Sequence, residues 1–166
     1  TGASLDGLDD EMLTSYVPGA AANLLMARVK VPTSLSGTQA VLGARTTPDT
    51  RSVLYISDQG VVGGGVGAQF NSVIRATSDR RGQAVTFALA YDATTVRLFE
   101  NDALAYEGAR SGMPTTTSPF RIGALNDNGT PLAHFGGNGG EIEQVIAAQP
   151  SSLTDLETYR RLAAGL

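Results

Sequence analysis

One run of alternating residues, Ala84 to Tyr91, constrains the fold of this chain more than any other feature. Bulky side chains occupy every second position, at Val85, Phe87, Leu89 and Tyr91, and the positions between them carry Thr or Ala. Successive side chains of a β-strand point to opposite faces, so this period predicts a strand with one bulky face and one small face. A helix would instead need apolar residues three and four positions apart.

Turn residues divide the neighbouring sequence into further strands. Asp92 to Thr95 predicts a turn, Val96 to Glu100 resumes a strand, and Asn101-Asp102 turns the chain again before Ala103 to Tyr106. The same alternation recurs in other segments: Asn23 to Val31, Ala40 to Arg45, Ser52 to Ser57, Gln69 to Ala76, Phe120 to Ala124 and Glu141 to Ala147. Many short strands without long helices between them predict an all-β antiparallel sandwich or barrel, and not a parallel α/β sheet.

A single helix is predicted near the end of the chain, at about residues 152–163. Ser152 followed by Asp155 resembles a capping box, and Arg160-Arg161 lie where the C-terminus of a helix favours cations. An apolar stripe follows at helical spacing, formed by Leu153, Leu156, Tyr159 and Leu162. We expect this helix to pack against the strands.

Composition limits the number of domains and the classes of partner. The 166 residues fit one domain, and 42% hydrophobic with 17% charged residues indicates a folded chain without membrane insertion. The net charge is −4 and no basic cluster exceeds Arg-Arg, so no nucleic-acid partner is expected. The absence of Cys excludes disulfides and cysteine metal sites. The acidic opening lacks the apolar region of a signal peptide, so we expect either a removed segment or another route of export.

Four blocks of the sequence resemble, in order, the laminin-G-like domains of the concanavalin A-like class. They are SLDGLDDEMLTSYVP with NLLMARVKVP after it, TFALAYDATTVRLFENDALAYEG, PFRIGALN, and FGGNGGEIEQVIAAQPSSLTDLETYRRL. The resemblance implies one domain over residues 1–166, a two-sheet antiparallel β-sandwich (jelly roll) with one short C-terminal helix. It also implies glycan or surface recognition, through rim loops or through a concave sheet made shallow by Ala88 and Ala90.

The function implied by this resemblance is that of a non-catalytic attachment module. Such a module would bind a cell-surface polysaccharide or glycan, and it would lie outside the cell or on the surface of a phage virion. Many copies on a larger assembly would raise the avidity of weak sites. The alternative is a structural module that decorates an assembly by binding neighbouring proteins, because this sandwich hosts several functions.

The predicted ligand contacts are polar and aromatic residues of edges and loops. They are Tyr55, Asp58 and Gln59 on one strand edge, Asn126, Asp127 and Asn128 in an oxygen-rich loop, and His134, the only histidine. Asp127 is also the best candidate for a weak calcium site. One carboxylate with amide and backbone oxygens is a small ligand set for an ion that takes six to eight oxygens. The alternative for this loop is a plain polar turn.

Two further motifs are typical of other functions. Gly63-x-Gly65-x-x-Ala68 matches a relaxed dinucleotide fingerprint, but a strand pattern follows it where a helix should begin. We expect these glycines to mark a bulge or a close approach of neighbouring backbone in a bent strand. Glu141 and Glu143 lie two apart on one strand, a spacing that glycoside hydrolysis would tolerate. The resemblance puts both on a solvated face, so hydrolysis ranks third behind glycan binding and assembly.

Overall fold

The computed structural model describes residues 3–6, 11–19, 21–68, 74–110 and 116–164. Within these ranges, thirteen strands form two stacked sheets, and one helix follows them. The elements are β1 (Ala3–Asp6), β2 (Met12–Leu13), β3 (Asn23–Lys30), β4 (Gln39–Arg45), β5 (Arg51–Ile56), β6 (Val62–Gly67), β7 (Ala84–Tyr91), β8 (Thr95–Glu100), β9 (Ala103–Ala109), β10 (Arg121–Ile122), β11 (Leu125–Asp127), β12 (Thr130–Leu132), β13 (Gly136–Ala148) and α1 (Leu153–Ala164).

The first sheet has the strand order β1-β13-β3-β7-β8-β9. The second sheet runs β12-β11-β4-β10-β2, and β5 and β6 continue it from the other side of β4. Among the strand pairs of the described residues, β11 and β4 are parallel and the others are antiparallel. The predicted all-β sandwich with one C-terminal helix is therefore confirmed.

The faces of β7 carry the two kinds of side chain that the alternation predicts. Its bulky residues, including Phe87 and Leu89, lie in the core between the two sheets. Asp92 closes the turn after β7, since its Oδ1 accepts hydrogen bonds from the amides of Thr94 at 2.7 Å and Thr95 at 2.8 Å. At the next turn Asn101 and Asp102 have positive φ, as a tight hairpin requires.

The helix α1 lies on the small face of the first sheet. Leu153 packs against an apolar cluster there, made of Ala22, Leu24, Met26, Ala88, Ala90 and Phe99. The guanidinium of Arg160 lies 4.0 Å from the centre of the Phe99 ring, and its Nη1 donates to the carbonyl of Asp102 at 2.9 Å. The predicted helix is confirmed; the side chains of Leu156, Tyr159 and Leu162 lie outside the described ones.

The small face of β7 is not a ligand surface. Ala88 and Ala90 are 1% and 2% exposed, because their short side chains make room for the apolar cluster beneath α1. The prediction of a concave binding sheet at these alanines is therefore wrong. No helix among the described residues is long and apolar enough to cross a bilayer.

The glycine run lies within β6. Because these residues have no side chains, Tyr55 on the next strand and Leu89 in the facing sheet can pack against the β6 backbone. A Cβ on Gly63 would lie 2.3 Å from Cζ of Tyr55, and one on Gly64 would lie 2.6 Å from Cδ1 of Leu89 in the facing sheet. Both neighbours are side chains and β6 pairs with β5 without a register shift, so these glycines make room for side chains instead of marking the predicted bulge or neighbouring backbone. After β6, residues 69–73 of the predicted Gln69 to Ala76 strand lie outside the described ranges, and Ile74 to Ala76 run beside β6.

Candidate functional site

The outer face of the second sheet brings together charged residues of β4, β10 and β11 and an apolar residue of β2. On β4, Ala44 belongs to the core, so Gly43 and Arg45 point outward. Arg121 of β10 pairs with Gly43 on one side and with Leu13 of β2 on the other. Asp127 of β11 pairs with Arg45. Residues that pair directly share a face, so all four side chains lie outside the sandwich.

Arg121 is held by a carboxylate and a carbonyl. Its Nη1 donates to Oε1 of Glu11, and its Nη2 donates to the carbonyl of Gly129 at 3.1 Å. The other oxygen of Glu11, Oε2, lies 3.5 Å from Nε2 of His134. The side chains of Arg121, Glu11 and His134 are 13%, 19% and 17% exposed, so this trio is largely covered but reaches the surface.

Arg45 and Asp127 form a two-point ion pair beside this trio. Nε and Nη2 of Arg45 donate to Oδ1 and Oδ2 of Asp127 at 2.8 and 2.9 Å. These hydrogen bonds lower the pKa of Asp127 and raise that of Arg45, so both groups are charged at neutral pH. The side chains are 25% and 28% exposed, so part of each reaches the surface.

Two exposed leucines flank these charges. Leu13 is 54% exposed and pairs with Arg121. Leu132 is 39% exposed and pairs with Leu125, which lies in a small apolar cluster on the same outer face. We call the whole surface the Arg121 face; its members are Glu11, Leu13, Arg45, Arg121, Asp127, Leu132 and His134. Apolar area with a few converging polar groups is the usual composition of a ligand site.

The predicted oxygen-rich loop is only partly available to a ligand. Asn126 is 1% exposed: its Nδ2 donates to the carbonyl of Pro119 at 2.6 Å, and its Oδ1 accepts from the amide of Gly129 at 2.8 Å. Asn126 therefore shapes the turn. Asn128 is exposed, has φ of 47°, and donates its amide to the carbonyl of Arg45 at 2.9 Å. Asp127 and His134 belong to the Arg121 face.

Tyr55 does not offer its ring to a ligand. It is 1% exposed, packs with Ala40, Val53 and Leu125, and covers Gly63 on the neighbouring strand. The prediction of Tyr55 as a ligand contact is therefore wrong, because a glycine opposite an aromatic residue lets the ring lie flat on the sheet.

The structure does not bring Asp58 and Gln59 to the Arg121 face. Both lie in the turn between β5 and β6, which follows the pairing of Ile56 with Gln39 at the start of β4. Asp127 pairs at the end of the same strand, six residues and about 20 Å away. A ligand contact at Asp58 or Gln59 stays a prediction.

Calcium at Asp127 also stays a prediction. Both carboxylate oxygens of Asp127 accept hydrogen bonds from Arg45, so an ion at this place would have to displace the guanidinium. Within the described ranges, no three or more His, Asp or Glu side chains are grouped as metal ligands.

The pair that suggested hydrolysis lies in ion pairs on the first sheet. Glu141 Oε1 lies 3.7 Å from Nζ of Lys30, and Glu143 Oε2 lies 2.6 Å from Nε of Arg28. All four side chains are partly exposed, and Ile142 between the two carboxylates belongs to the core. The predicted solvated face of this strand is confirmed.

Sequence reasoning missed Glu11, Leu13, Arg45 and Arg121. Arg45 ended one predicted strand and Arg121 lay within another. Their charge on a predicted strand was the one feature that could have indicated an outward position. Arg121 and Glu11 are 110 residues apart in sequence, so no local motif predicts their ion pair.

Solved structures with the same fold are carbohydrate-binding modules and a pentraxin. The CBM40 module of Ruminococcus gnavus IT-sialidase is 22% identical, with 96% of each chain covered and a TM-score of 0.71. The same module bound to α2,3 sialyllactose is 21% identical over 96% of this chain and 95% of that one, with a TM-score of 0.68.

Larger proteins contain the fold as well. The NanB sialidase of Streptococcus pneumoniae, as the K499G mutant, is 16% identical and matches 95% of this chain, but only 27% of its own, with a TM-score of 0.66. A heptameric pentraxin of Limulus polyphemus is 15% identical over 93% of this chain and 78% of that one, with a TM-score of 0.65. No protein-family model and no curated protein matches the chain. The similar structures share the jelly-roll sandwich; a laminin-G or phage context stays a prediction.

Proposed function

We propose that this chain is a non-catalytic carbohydrate-binding module whose Arg121 face takes an acidic sugar, such as the end of a sialylated glycan. The observation that carries the proposal is that Arg45 and Arg121 lie on the outer face of one sheet, each paired with a carboxylate and near an exposed leucine. The sialyllactose complex of a module with the same fold supports the choice of ligand.

The chemistry of the face suits a sugar with a carboxylate. A guanidinium has five N–H donors and a charge that does not titrate. Arg45 uses Nε and Nη2 on Asp127, so a ligand carboxylate would meet its remaining N–H groups. The carboxylates of Asp127 and Glu11 are acceptors to which sugar hydroxyl groups would donate hydrogen bonds. Leu13 and Leu132 provide apolar area against which the C–H side of a ring can pack.

We expect the Arg121 face to bind sugar without hydrolysing it. The Arg121 face offers Glu11 and Asp127, and Arg121 and Arg45 hold them as ion pairs. A glycosidase needs one carboxyl group kept protonated as the acid. The hydrogen bonds from Arg45 instead lower the pKa of Asp127.

The setting we propose is extracellular, as one module of a larger protein or particle. NanB contains the fold within a chain several times longer, which supports a modular role. Display in many copies, as on a phage virion, would raise the avidity of a weak site. The alternative, a structural module that binds neighbouring proteins, remains the second candidate because Leu13 and Leu132 would also suit a protein contact.

Calorimetric titration with 3′-sialyllactose and with lactose tests the proposal. We expect binding of the acidic trisaccharide and at least about tenfold weaker binding of lactose, a difference of about 1.4 kcal/mol. Arg121→Gln and Arg45→Gln should abolish the preference. Arg28→Gln removes an arginine from the first sheet and should leave binding unchanged. Equal binding of both sugars, or loss of binding in all three variants, would contradict the assigned face.

A second measurement separates the two candidate functions. If the chain binds no sugar on a broad glycan array, with or without calcium, but associates stably with its parent particle, the structural role is correct. If polysaccharide is cleaved and Glu141→Gln or Glu143→Gln abolishes the cleavage, the chain is an enzyme.

A further inference from the structure

We propose that His134 makes ligand binding at the Arg121 face depend on pH, because a proton on its imidazole gives this face a net positive charge. His134 acts through Glu11 and is therefore a positioning residue. The inference rests on the proposed function, since it concerns the affinity of the same face for an acidic sugar. The observation behind it is that the carboxylate of Glu11 lies between Arg121 and His134.

The backbone places His134 and Glu11 beside the same residue, Gly123. The amide of Phe135 donates to the carbonyl of Gly123 at 2.7 Å, which brings the segment around His134 against the end of β10. The register of β10 with β2, continued by one residue, sets Gly123 opposite Glu11. The two side chains are therefore held together by strand pairing, although they are far apart in sequence.

The contact between His134 and Glu11 suits an ion pair better than a neutral hydrogen bond. Nε2 of His134 lies 3.5 Å from Oε2 of Glu11, and N–H···O hydrogen bonds are about 2.7–3.2 Å long. Within the described residues, this buried oxygen accepts no hydrogen bond, whereas Oε1 accepts one from Arg121. A buried carboxylate oxygen without a donor favours a cation beside it. A protonated imidazole is such a cation, and both of its ring nitrogens are donors.

The charges of the Arg121 face cancel while His134 is neutral. The two guanidinium groups of Arg45 and Arg121 are balanced by the two carboxylates of Asp127 and Glu11. A proton on His134 adds one positive charge to this sum of zero. Glu11 then lies between two cations, so it neutralises Arg121 less completely. A ligand carboxylate gains from both effects.

The other charged groups around His134 do not account for a change between pH 5 and pH 8. Carboxyl and guanidinium groups ordinarily titrate outside this range, imidazole titrates inside it, and His134 is the only histidine. Among the described residues of the elements packed against it, the charged neighbours are Glu11 and Arg121. Neither β12 nor residues 136–140 contain a charged residue.

The second ion pair of the face lies farther away. The carbonyl of Ala133 accepts from the amide of Ala40, so His134 lies near the start of β4. Arg45 ends the same strand, about 16 Å along it, and holds Asp127 there. Because Arg45 lowers the pKa of Asp127, this carboxylate stays charged over the same range.

Calorimetric titration with 3′-sialyllactose at pH 8 and at pH 5.5 tests the proposal. The sugar carboxylate is ionised at both values, since such groups titrate near 3.3–3.7. We expect the wild type to bind about threefold or more tighter at pH 5.5, because one charge is added in a partly covered site. By reciprocity, binding near pH 6.5 should take up protons, which titrations in two buffers measure.

His134→Gln keeps an N–H donor for Glu11 but does not titrate. Its affinity should therefore be the same at both pH values, and its proton uptake should vanish. Glu143→Gln, on the first sheet, is the control and should keep the wild-type ratio. Equal or weaker wild-type binding at pH 5.5, or an unchanged ratio in His134→Gln, would overturn the proposal.

Urea denaturation tests the contact without any sugar. His134→Gln, Glu11→Gln and the double variant form a thermodynamic cycle, and both replacements are close in shape to the original residues. We expect the two changes to be coupled at pH 5.5 and closer to additive at pH 8, where the imidazole is neutral. Additivity at both pH values would overturn the proposal. Coupling at pH 5.5 without sugar binding at either pH would instead count against the proposed function alone.

Discussion

Arg45 and Asp127 meet across a parallel strand pair in the second sheet, joined by hydrogen bonds of 2.8 and 2.9 Å. The guanidinium therefore holds both oxygens of the Asp127 carboxylate. The contact therefore links the stability of the sheet to the charge of the Arg121 face.

Asp127→Asn should lower the free energy of unfolding at neutral pH. It should also remove part of the loss of stability that the wild type shows as the pH falls. Arg45 lowers the pKa of Asp127 in the folded chain, so the pair stabilises the fold fully above the ordinary Asp pKa of about 3.9. That contribution is lost as pH falls through the lower folded pKa. For an exposed pair we expect about 0.5–1 kcal/mol at pH 7.

Urea denaturation at pH 7 and below pH 3 measures this difference. Asp58→Asn, at an exposed turn carboxylate, is the control. A wild type and an Asp127→Asn variant that differ by the same amount at both pH values would show that the ion pair is not the cause.

Gly63→Ala should destabilise the chain through the ring of Tyr55. The added Cβ would lie 2.3 Å from Cζ of that ring, so the side chain or the strand must move, at a cost of about 1–3 kcal/mol. Tyr55→Ala removes a buried ring and should cost about 3–5 kcal/mol. The double variant should lose less stability than the two single variants added together, because the added Cβ no longer meets the Tyr55 ring.

Thermal unfolding of the four proteins measures the coupling. Gly37→Ala serves as a control, because a Cβ there would meet nothing within 4 Å. Strict additivity of Gly63→Ala and Tyr55→Ala would contradict the packing of the ring over Gly63.

Arg160 and Arg161 are neighbours on α1 and should differ sharply in their effect on stability. Arg160 is buried, stacks on Phe99 and donates to Asp102, whereas Arg161 is exposed. We expect Arg160→Ala to cost about 2 kcal/mol and Arg161→Ala less than about 0.5 kcal/mol. Circular dichroism during denaturation measures both. Equal losses would mean that α1 is not fastened through Arg160.

Calcium binding should respond to Arg45. In the wild type, the guanidinium occupies both oxygens of Asp127, so we expect calcium to bind weakly. Arg45→Gln frees the carboxylate and should tighten calcium binding in a calorimetric titration. Calcium affinity that is equal in both proteins, or lost in Arg45→Gln, would place the ion away from Asp127.

Local patterns in the sequence predicted most of the fold. The alternation in β7 gave both faces of the strand, and the Ser152 start gave α1, because these features depend on neighbours along the chain. The burial of Ala88 and Ala90 was not predicted, since alternation assigns a residue to a face but does not say what covers that face.

The candidate site was harder to predict because its contacts are distant in sequence. Arg45 and Asp127 are 82 residues apart, and Arg121 and Glu11 are 110 apart. Asp127 and His134 were proposed from their residue types alone, and their role in binding stays a prediction. The prediction that Tyr55 contacts a ligand was wrong for a physical reason. Tyr55 pairs with Gly63 on the next strand, and its ring packs over that glycine. The sequence of one strand does not show which residue lies opposite.

A chemical-shift titration of the isotopically labelled chain with 3′-sialyllactose would show whether the Arg121 face binds an acidic sugar. We expect saturable shifts at the amides of Leu13, Arg45, Arg121 and Asp127, with unchanged signals at Arg28 and Glu143 on the first sheet. Shifts confined to the first sheet or to the turn at Asp58, or none at millimolar sugar, would contradict it.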